Sequence, residues 1–455
     1  MNIDPLLLKK YNQPVPRYTS YPTVPFWDDT INKEKWKNSF LKQFNAANSN
    51  EGISLYLHLP FCESLCTYCG CNKKITTNHA VEDRYIKALA HEWKLYLDLM
   101  QEPPIVRELH LGGGTPTFFS PANLKKIIEF IFERSVRSPD FEFSIEGHPN
   151  NTSTAHLQTL YDAGFRRISY GVQDNDPEVQ RVINRIQPLE NVQSATDTAR
   201  AIGFKSVNFD LIYGLALQTL ATLEKTLLQT IAMRPDRIAF YSYAHVPWNT
   251  RGQRLFDEKD LPSAEEKMKL YQLGKKLLAQ NGYFDIGMDH FALATDDLYA
   301  AKMEGTLHRN FMGYTTQHTN LLIGLGVSSI SDAGVAYAQN EKALHDYYEA
   351  VEKDELPIMR GFFLSEEDIV FKNYILDVSC KGKTSFKKDS LPTLKAFSFP
   401  ILKELEADGF ITWNLAGLNV TDLGEHFIRN ICKAFDLHLL RSKMETAKPM
   451  FSQAI

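Results

Sequence analysis

The sequence predicts an α/β protein whose core is a parallel β-sheet covered by helices, and three observations carry that prediction. Between residues 52 and 291 a short apolar run, an amphipathic stretch and a Gly or Pro breaker recur six or seven times. Strand-length patterns alternating with helix-length patterns read as βαβ units, which need a parallel sheet. Two of the amphipathic stretches run into Ala163-Gly164 and Gly203, endings that look like glycine C-caps turning the chain back into a strand. Finally, a cysteine cluster follows the first apolar run and three glycines follow the second. In a parallel sheet those positions lie at the C-terminal strand ends, where functional loops gather.

The candidate strands are 53–59, 106–111, 141–146, 167–172, 206–212, 237–243 and 283–288. Between them Val81, Tyr85, Ala88, Leu89, Trp93 and Tyr96 recur at three and four residues, as do Leu124, Ile127, Ile128 and Ile131. Pro235-Asp236 stops a further helix before Arg237. Periodicity does not choose between a full barrel, a partial barrel and an open doubly wound sheet. Outside the repeat, residues 1–50 form an N-terminal arm, with 16–22 a rigid extended segment. After the β–α repeat domain read at 51–300 come a return segment at 301–357, expected to loop over the active face, and a C-terminal domain at 358–455. Its helix–strand–turn–strand–helix pattern at 401–435 looks like a small winged helix, and the lysine-rich stretch 381–388 reads as a solvated turn.

Composition narrows the function classes. The 455 residues are 44% hydrophobic and 23% charged, an ordinary globular balance. A formal charge of −5 gives no general attraction to nucleic acid or an anionic membrane. No apolar stretch reaches the length of a membrane span. Six cysteines, four of them clustered, do not make a secreted disulfide framework, so a reducing cytoplasm is expected.

The four clustered cysteines are Cys62, Cys66, Cys69 and Cys71, in the segment YLHLPFCESLCTYCGCNK at 56–73. Thiolates are soft ligands that suit iron–sulfur centres. A loop can direct Cys62, Cys66 and Cys69 to one cluster, whereas the single-residue spacing sets Cys71 apart. Three ligands would leave one iron open. A closed zinc tetrahedron is the competing reading. The turn Gly112-Gly113-Gly114-Thr115-Pro116 permits close backbone approach but lacks the lysine of a P-loop and the spacing of a dinucleotide fingerprint. Glu146, Gln173 and Asp210 fall at later strand ends, and Arg185 is a candidate carboxylate clamp near Gln173. His245, His290 and His308 are too scattered for a metal reading.

Together these segments resemble the radical S-adenosylmethionine (SAM) superfamily and, within it, the bacterial oxygen-independent coproporphyrinogen III oxidase (dehydrogenase) family. The motifs that carry the resemblance are PRYTSYPT at 16–23, the cysteine segment at 56–73, LGGGTPT at 111–117, GVQD at 171–174, NRIQ at 184–187 and FDLIYGL at 209–215. GMDHF at 287–291, HRNFMGYTT at 308–316, GLGVSSIS at 324–331 and NICKAFD at 430–436 extend it over almost the whole chain. The resemblance implies a partial (β/α) barrel of radical SAM type, with a mainly helical, winged-helix-like C-terminal domain. It implies a [4Fe–4S] cluster on Cys62, Cys66 and Cys69, with Cys71 as an additional functional cysteine.

It further implies two SAM molecules. Tyr56, Gly113, Glu146 and Ile330 would contact the one bound to the cluster. Tyr68, Gly114, Thr115, Gln173, Arg185, Asp210 and Ala244 would contact the second. The implied reaction uses a 5′-deoxyadenosyl radical to abstract hydrogen from two propionates of coproporphyrinogen III, which become the vinyl groups of protoporphyrinogen IX. A cellular electron donor and an unidentified terminal acceptor are implied partners, and a monomer is expected. Departures from the family pattern are His148 and Asn150, flanking Pro149 where many relatives have an acidic residue and an arginine, and Met312 where a glutamine is common. Two rivals stand beside this reading. A haem-binding chaperone of the same fold would usually lack the PRYTSYP arm and the Cys69-Gly-Cys71 pattern. A zinc-stabilised regulatory or DNA-binding protein would present a basic recognition helix.

Overall fold

A computed structural model describes residues 4–248, 250–442 and 451. The strand-and-helix repeat builds one side of a twelve-stranded sheet. Strands β1 (Ile53–Leu59), β2 (Ile105–Gly113), β3 (Val136–Gly147), β4 (Arg167–Gln173), β5 (Ser206–Tyr213) and β6 (Arg237–Ser242) lie side by side in chain order, all parallel. Helices Val81–Leu99, Pro121–Phe132, Thr154–Asp162, Leu189–Ile202 and Leu220–Met233 connect them. Ile53, Leu55, Leu57 and Leu59 on β1 are fully buried, and with the apolar helix faces they make the main core. The alternate residues, Tyr56 and His58 among them, face the concave interior because side chains alternate along a strand. The sheet does not close: the strand order runs open from one edge to the other, a partial (β/α) barrel.

The anticipated seventh parallel step takes another form. β7 (Tyr283–Gly287) turns back at Met288, with φ 45°, into β8 (His290–Leu293). It is β8, antiparallel to both neighbours, that pairs with β6, so β7 becomes the edge.

The segment expected to loop over the active face also differs. Residues 322–340 supply β9 (Leu322–Leu325), β10 (Ile330–Asp332) and β11 (Ala336–Asn340) to the sheet, and β9 pairs in parallel with β1. The run LLIGLGV looks like a glycine-rich loop, but Gly324 is there for packing. A Cβ at Gly324 would stand 2.4 Å from the Ile330 carbonyl oxygen. β12 (Ile358–Phe363) adds the final strand, so residues 358–363 belong to the main sheet rather than to the C-terminal unit.

At the N-terminus, residues 33–47 form a helix within the segment read as an arm, with Trp36, Phe40 and Phe44 fully buried at four-residue spacing. The extended stretch 15–22 is clamped from both sides. The Tyr18 hydroxyl donates to Asp436, the Leu437 N–H to the Tyr21 hydroxyl and the Tyr337 hydroxyl to the Tyr21 carbonyl. In the C-terminal unit a three-stranded sheet, Lys383–Ser385, Gly417–Val420 and Ile411–Asn414, packs against helices Glu366–Lys381 and Phe399–Ala407. The lysine-rich stretch therefore contains an edge strand rather than only a solvated turn. The end of the 358–455 segment, 443–450 and 452–455, lies outside the described residues.

Candidate active site

The C-terminal ends of β1 to β6 surround a cavity of about 500 Å³. On one wall runs the cysteine loop, and its path is fixed by backbone contacts. After Pro60 the segment Phe61–Cys62 pairs with Lys74–Ile75, closing the loop at its base. The Thr67 N–H donates to the Ile183 carbonyl and Asn184 Nδ2 to the Leu65 carbonyl, which dock the loop on the turn after helix Pro177–Val182. Lys73 Nζ donates to the carbonyls of Cys69 (2.9 Å) and Cys71 (3.3 Å). Gln253 Nε2 ties the carbonyls of Tyr68 and Ala244 together at 3.1 and 3.0 Å.

The glycine turn supports this loop directly. The Gly114 N–H donates to the Leu59 carbonyl and the Thr115 N–H to the Phe61 carbonyl. A Cβ on Gly114 would lie 2.6 Å from the Pro60 carbonyl, and Gly113 has φ +119° with the His58 ring against it. Glycine is therefore required here so that the ends of β1 and β2 can touch.

Twelve of the fifteen residues assigned a cluster, cofactor or catalytic role line this cavity: Cys62, Cys66, Cys69, Cys71, Tyr68, Gly113, Gly114, Thr115, Glu146, Gln173, Arg185 and Asp210. Tyr56, Ala244 and Ile330 do not line it. Tyr56 sits beneath, its hydroxyl 3.1 Å from His58 Nδ1 and its ring 5.9 Å from the His110 ring. Ile330 begins β10, packed against Gly324, which stands opposite Tyr56 in the sheet. Ala244 follows β6 and is held by Gln253.

Charge is distributed unevenly around the cavity. Glu146 accepts from the Gly113 N–H at 3.1 Å and lies 3.4 Å from His110 Nε2, with 44% of its side chain exposed to the cavity. Burial opposes its ionisation, but the hydrogen bonds from His110 and Gly113 prevail and hold the carboxyl below its usual range. Asp210 behaves oppositely: burial, reinforced by Glu146, pushes it up to about 6, although Asn208 and Ser169 donate to it. Arg185 donates to the Gly171 carbonyl at 2.5 Å and to Cys66 Sγ at 3.6 Å, while its buried Nε has no acceptor. Burial, then Arg185, pushes His148 down to about 3, so a neutral ring rather than an anion faces this guanidinium.

Among the thiols, burial pushes Cys62 up to about 11, although Thr115 donates to its sulfur at 3.3 Å. The Cys71 thiol hydrogen-bonds to Cys69, which lowers Cys69 and raises Cys71.

The donor set fits an iron–sulfur centre: three soft thiols on one loop, flanked by Lys73 and Arg185, with a fourth thiol alongside. Among the described residues, no three His, Cys, Asp or Glu side chains converge on a point suited to a single metal ion, while all four thiols line the cavity.

A sequence model of the radical SAM superfamily matches residues 56–229. Over 448 residues the chain is 40% identical to the oxygen-independent coproporphyrinogen III oxidase of Helicobacter pylori strain 26695, covering 97% of this chain and 98% of that one. The chain belongs to the oxygen-independent coproporphyrinogen III oxidase family. The same enzyme of Escherichia coli K12 is 38% identical over 467 residues, covering 99% of this chain and 98% of that one. The solved structure of coproporphyrinogen III oxidase from Escherichia coli, described as a radical SAM enzyme, superposes with a TM-score of 0.89 at 37% identity, over 96% of this chain and 99% of that one. Membership in this family brings an iron–sulfur cluster and SAM as the cofactors of the class.

Several residues that shape the site went unnoticed in the sequence. His58 and His110 stand on interior positions of β1 and β2, and strand alternation from Tyr56 and Gly112 would have found them. Lys73 and Gln253 act through backbone carbonyls, for which no motif exists.

Proposed function

We propose that this protein catalyses the oxygen-independent oxidative decarboxylation of two propionates of coproporphyrinogen III, giving the two vinyl groups of protoporphyrinogen IX. The observation that carries the reading is the near end-to-end match to that oxidase family combined with a four-cysteine cavity on the active face. Cys62, Cys66 and Cys69 would hold a [4Fe–4S] cluster, leaving one iron open. When bound, the cluster and SAM supply the one-electron chemistry that removes a hydrogen atom from the propionate β-carbon, after which carbon dioxide and one further electron leave.

The chain's own residues position and shield that chemistry. In this reading Glu146, held ionised by His110 and Gly113, takes an ammonium group, with Tyr56, Gly113 and Ile330 framing the SAM at the cluster. Arg185, with an unpaired Nε, suits the carboxylate of a second SAM, framed by Tyr68, Gly114, Thr115, Gln173, Asp210 and Ala244. Cys71 places a protonated thiol beside the cluster loop. The barrel wall excludes water from the reacting carbon. A one-electron donor and a terminal acceptor come from outside the chain, and the protein acts as a monomer.

The test is anaerobic. The reconstituted protein is given reductant, SAM and coproporphyrinogen III. Vinyl product should appear together with 5′-deoxyadenosine. An intact cluster that cleaves SAM without decarboxylating the substrate would sink the assignment, and haem transfer in its place would favour the chaperone.

A further inference from the structure

Two arginines that the cysteine site does not use stand around the barrel interior, half-buried Arg17 from the N-terminal arm and buried Arg309 from the strand His308–Asn310. Tyr241 points into the barrel from β6, lining both the cysteine cavity and a smaller polar chamber of about 100 Å³ beneath it. The Tyr241 hydroxyl lies 3.3 Å from His290 Nε2, while the buried His290 Nδ1 has no partner. Arg17, delivered by the extended arm, stands with its guanidinium 5.8 Å from the centre of the Tyr241 ring. One hydrogen bond holds it there, from Nη2 to the Ser242 carbonyl at 2.8 Å.

On the far side, the guanidinium of Arg309 lies 4.7 Å over the Tyr314 ring, which in turn packs 5.2 Å from the His290 ring. Arg309 is only 8% exposed, and its buried Nε and Nη1 have no acceptor. Two acids, Asp210 and Asp289, bring their charge to bear on Tyr241; Asp210 accepts from Ser169 and Asn208, and among the described residues neither acid forms an ion pair with Arg17 or Arg309. Unpaired guanidinium groups removed from water are costly unless an anion arrives to match them.

We propose that Arg17, His290 and Arg309 form an anchor, beside Tyr241, for a carboxylate of the porphyrinogen that is not under attack. This rests on the functional reading above. Arg17 offers free N–H groups to the carboxylate, His290 offers Nδ1–H while its Nε2 accepts from Tyr241, and Arg309 supplies the charge behind them. Burial, followed by the charges of Arg309, Arg237 and Arg17, pushes His290 down to about 3, so the ring is neutral and keeps a single donor. The anchor would also explain why the arm is clamped so firmly between barrel and C-terminal unit: it carries one of the contacts to substrate. All three are positioning residues for a substrate that must present one side chain at a time to the radical chemistry.

The experiment measures binding, not turnover. Holoprotein is titrated anaerobically with coproporphyrin III, the stable fluorescent tetracarboxylate, and with its uncharged tetramethyl ester. Wild type should bind the acid more tightly than the ester. Arg17→Met should weaken the acid by about 10- to 100-fold with little effect on the ester, and Arg17→Lys should recover part of the loss. Arg309→Met should act in the same direction, with iron content and thermal unfolding as its folding controls. Since Arg17 is part exposed, its variants carry the test even where Arg309→Met fails to fold. Equal affinity of the Arg17 variants and wild type for the acid overturns the anchor and leaves the oxidase reading standing. No binding of coproporphyrin III to wild type also overturns the anchor, while the oxidase reading stands or falls on turnover of the porphyrinogen.

Discussion

Cys62 and Cys71 stand nine residues apart on one loop, yet their surroundings differ. Cys62 is fixed by the Thr115 hydroxyl and the paired strand Phe61–Cys62, whereas Cys71 is exposed at the loop's far end and shares a hydrogen bond with Cys69. Removing each should therefore have different consequences. Cys62→Ala is expected to lose iron and sulfide together with SAM cleavage. Cys71→Ser is expected to keep iron and sulfide while porphyrinogen turnover falls by about 100-fold or more. Metal analysis beside product assays separates the two, and a Cys71→Ser protein that loses its iron would make Cys71 a ligand. Spacing alone was enough to bring these four thiols to notice. The division of labour among them came from the family resemblance, because the hydrogen bond between Cys69 and Cys71 belongs to the folded loop and leaves no trace in the one-dimensional pattern.

At the scale of elements, helix Val81–Leu99 is locked to the strands beyond β9 by a buried acid. Glu92, with no solvent exposure, accepts from the Gly326 N–H (2.7 Å), the Tyr347 hydroxyl (2.7 Å) and Asn340 Nδ2 (2.6 Å). Burial nevertheless outweighs these donors and pushes its carboxyl from 4.5 up to about 7. A carboxyl raised in the folded state favours folding most when protonated. Its contribution is thus complete below pH 4.5 and declines as pH rises through about 7, by an upper bound of ~3 kcal/mol. Denaturant midpoints of wild type and Glu92→Gln at pH 5 and pH 8 should show wild type losing ground to the variant at the higher pH. A gap independent of pH would contradict the assignment. The parallel strands were legible because fully buried strands read as short apolar runs between breakers. β9 escaped notice because Gly324 and Gly326 made an equally apolar run resemble a loop, and β8 because it is only four residues long and follows β7 after the two-residue turn Met288-Asp289. The helix at 33–47 was readable in Trp36, Phe40 and Phe44, but the proline-rich arm before it set the interpretation of the whole segment.

For the molecule as a whole, the partial barrel, arm and C-terminal unit act together. The barrel brings β1 to β6 strand ends onto one cavity, the glycine turn lets the cysteine loop close against it, and the arm is held between the two larger units. Catalysis at two propionates requires that arrangement to exclude water and to hold each reacting carbon at the same place. Where hydrogen goes is the central claim, and isotope transfer reads it most directly. Coproporphyrinogen III carrying deuterium at the propionate β-carbons, turned over anaerobically by the reconstituted protein, should yield 5′-deoxyadenosine labelled with deuterium alongside the vinyl product. Vinyl product accompanied by unlabelled 5′-deoxyadenosine would contradict the account.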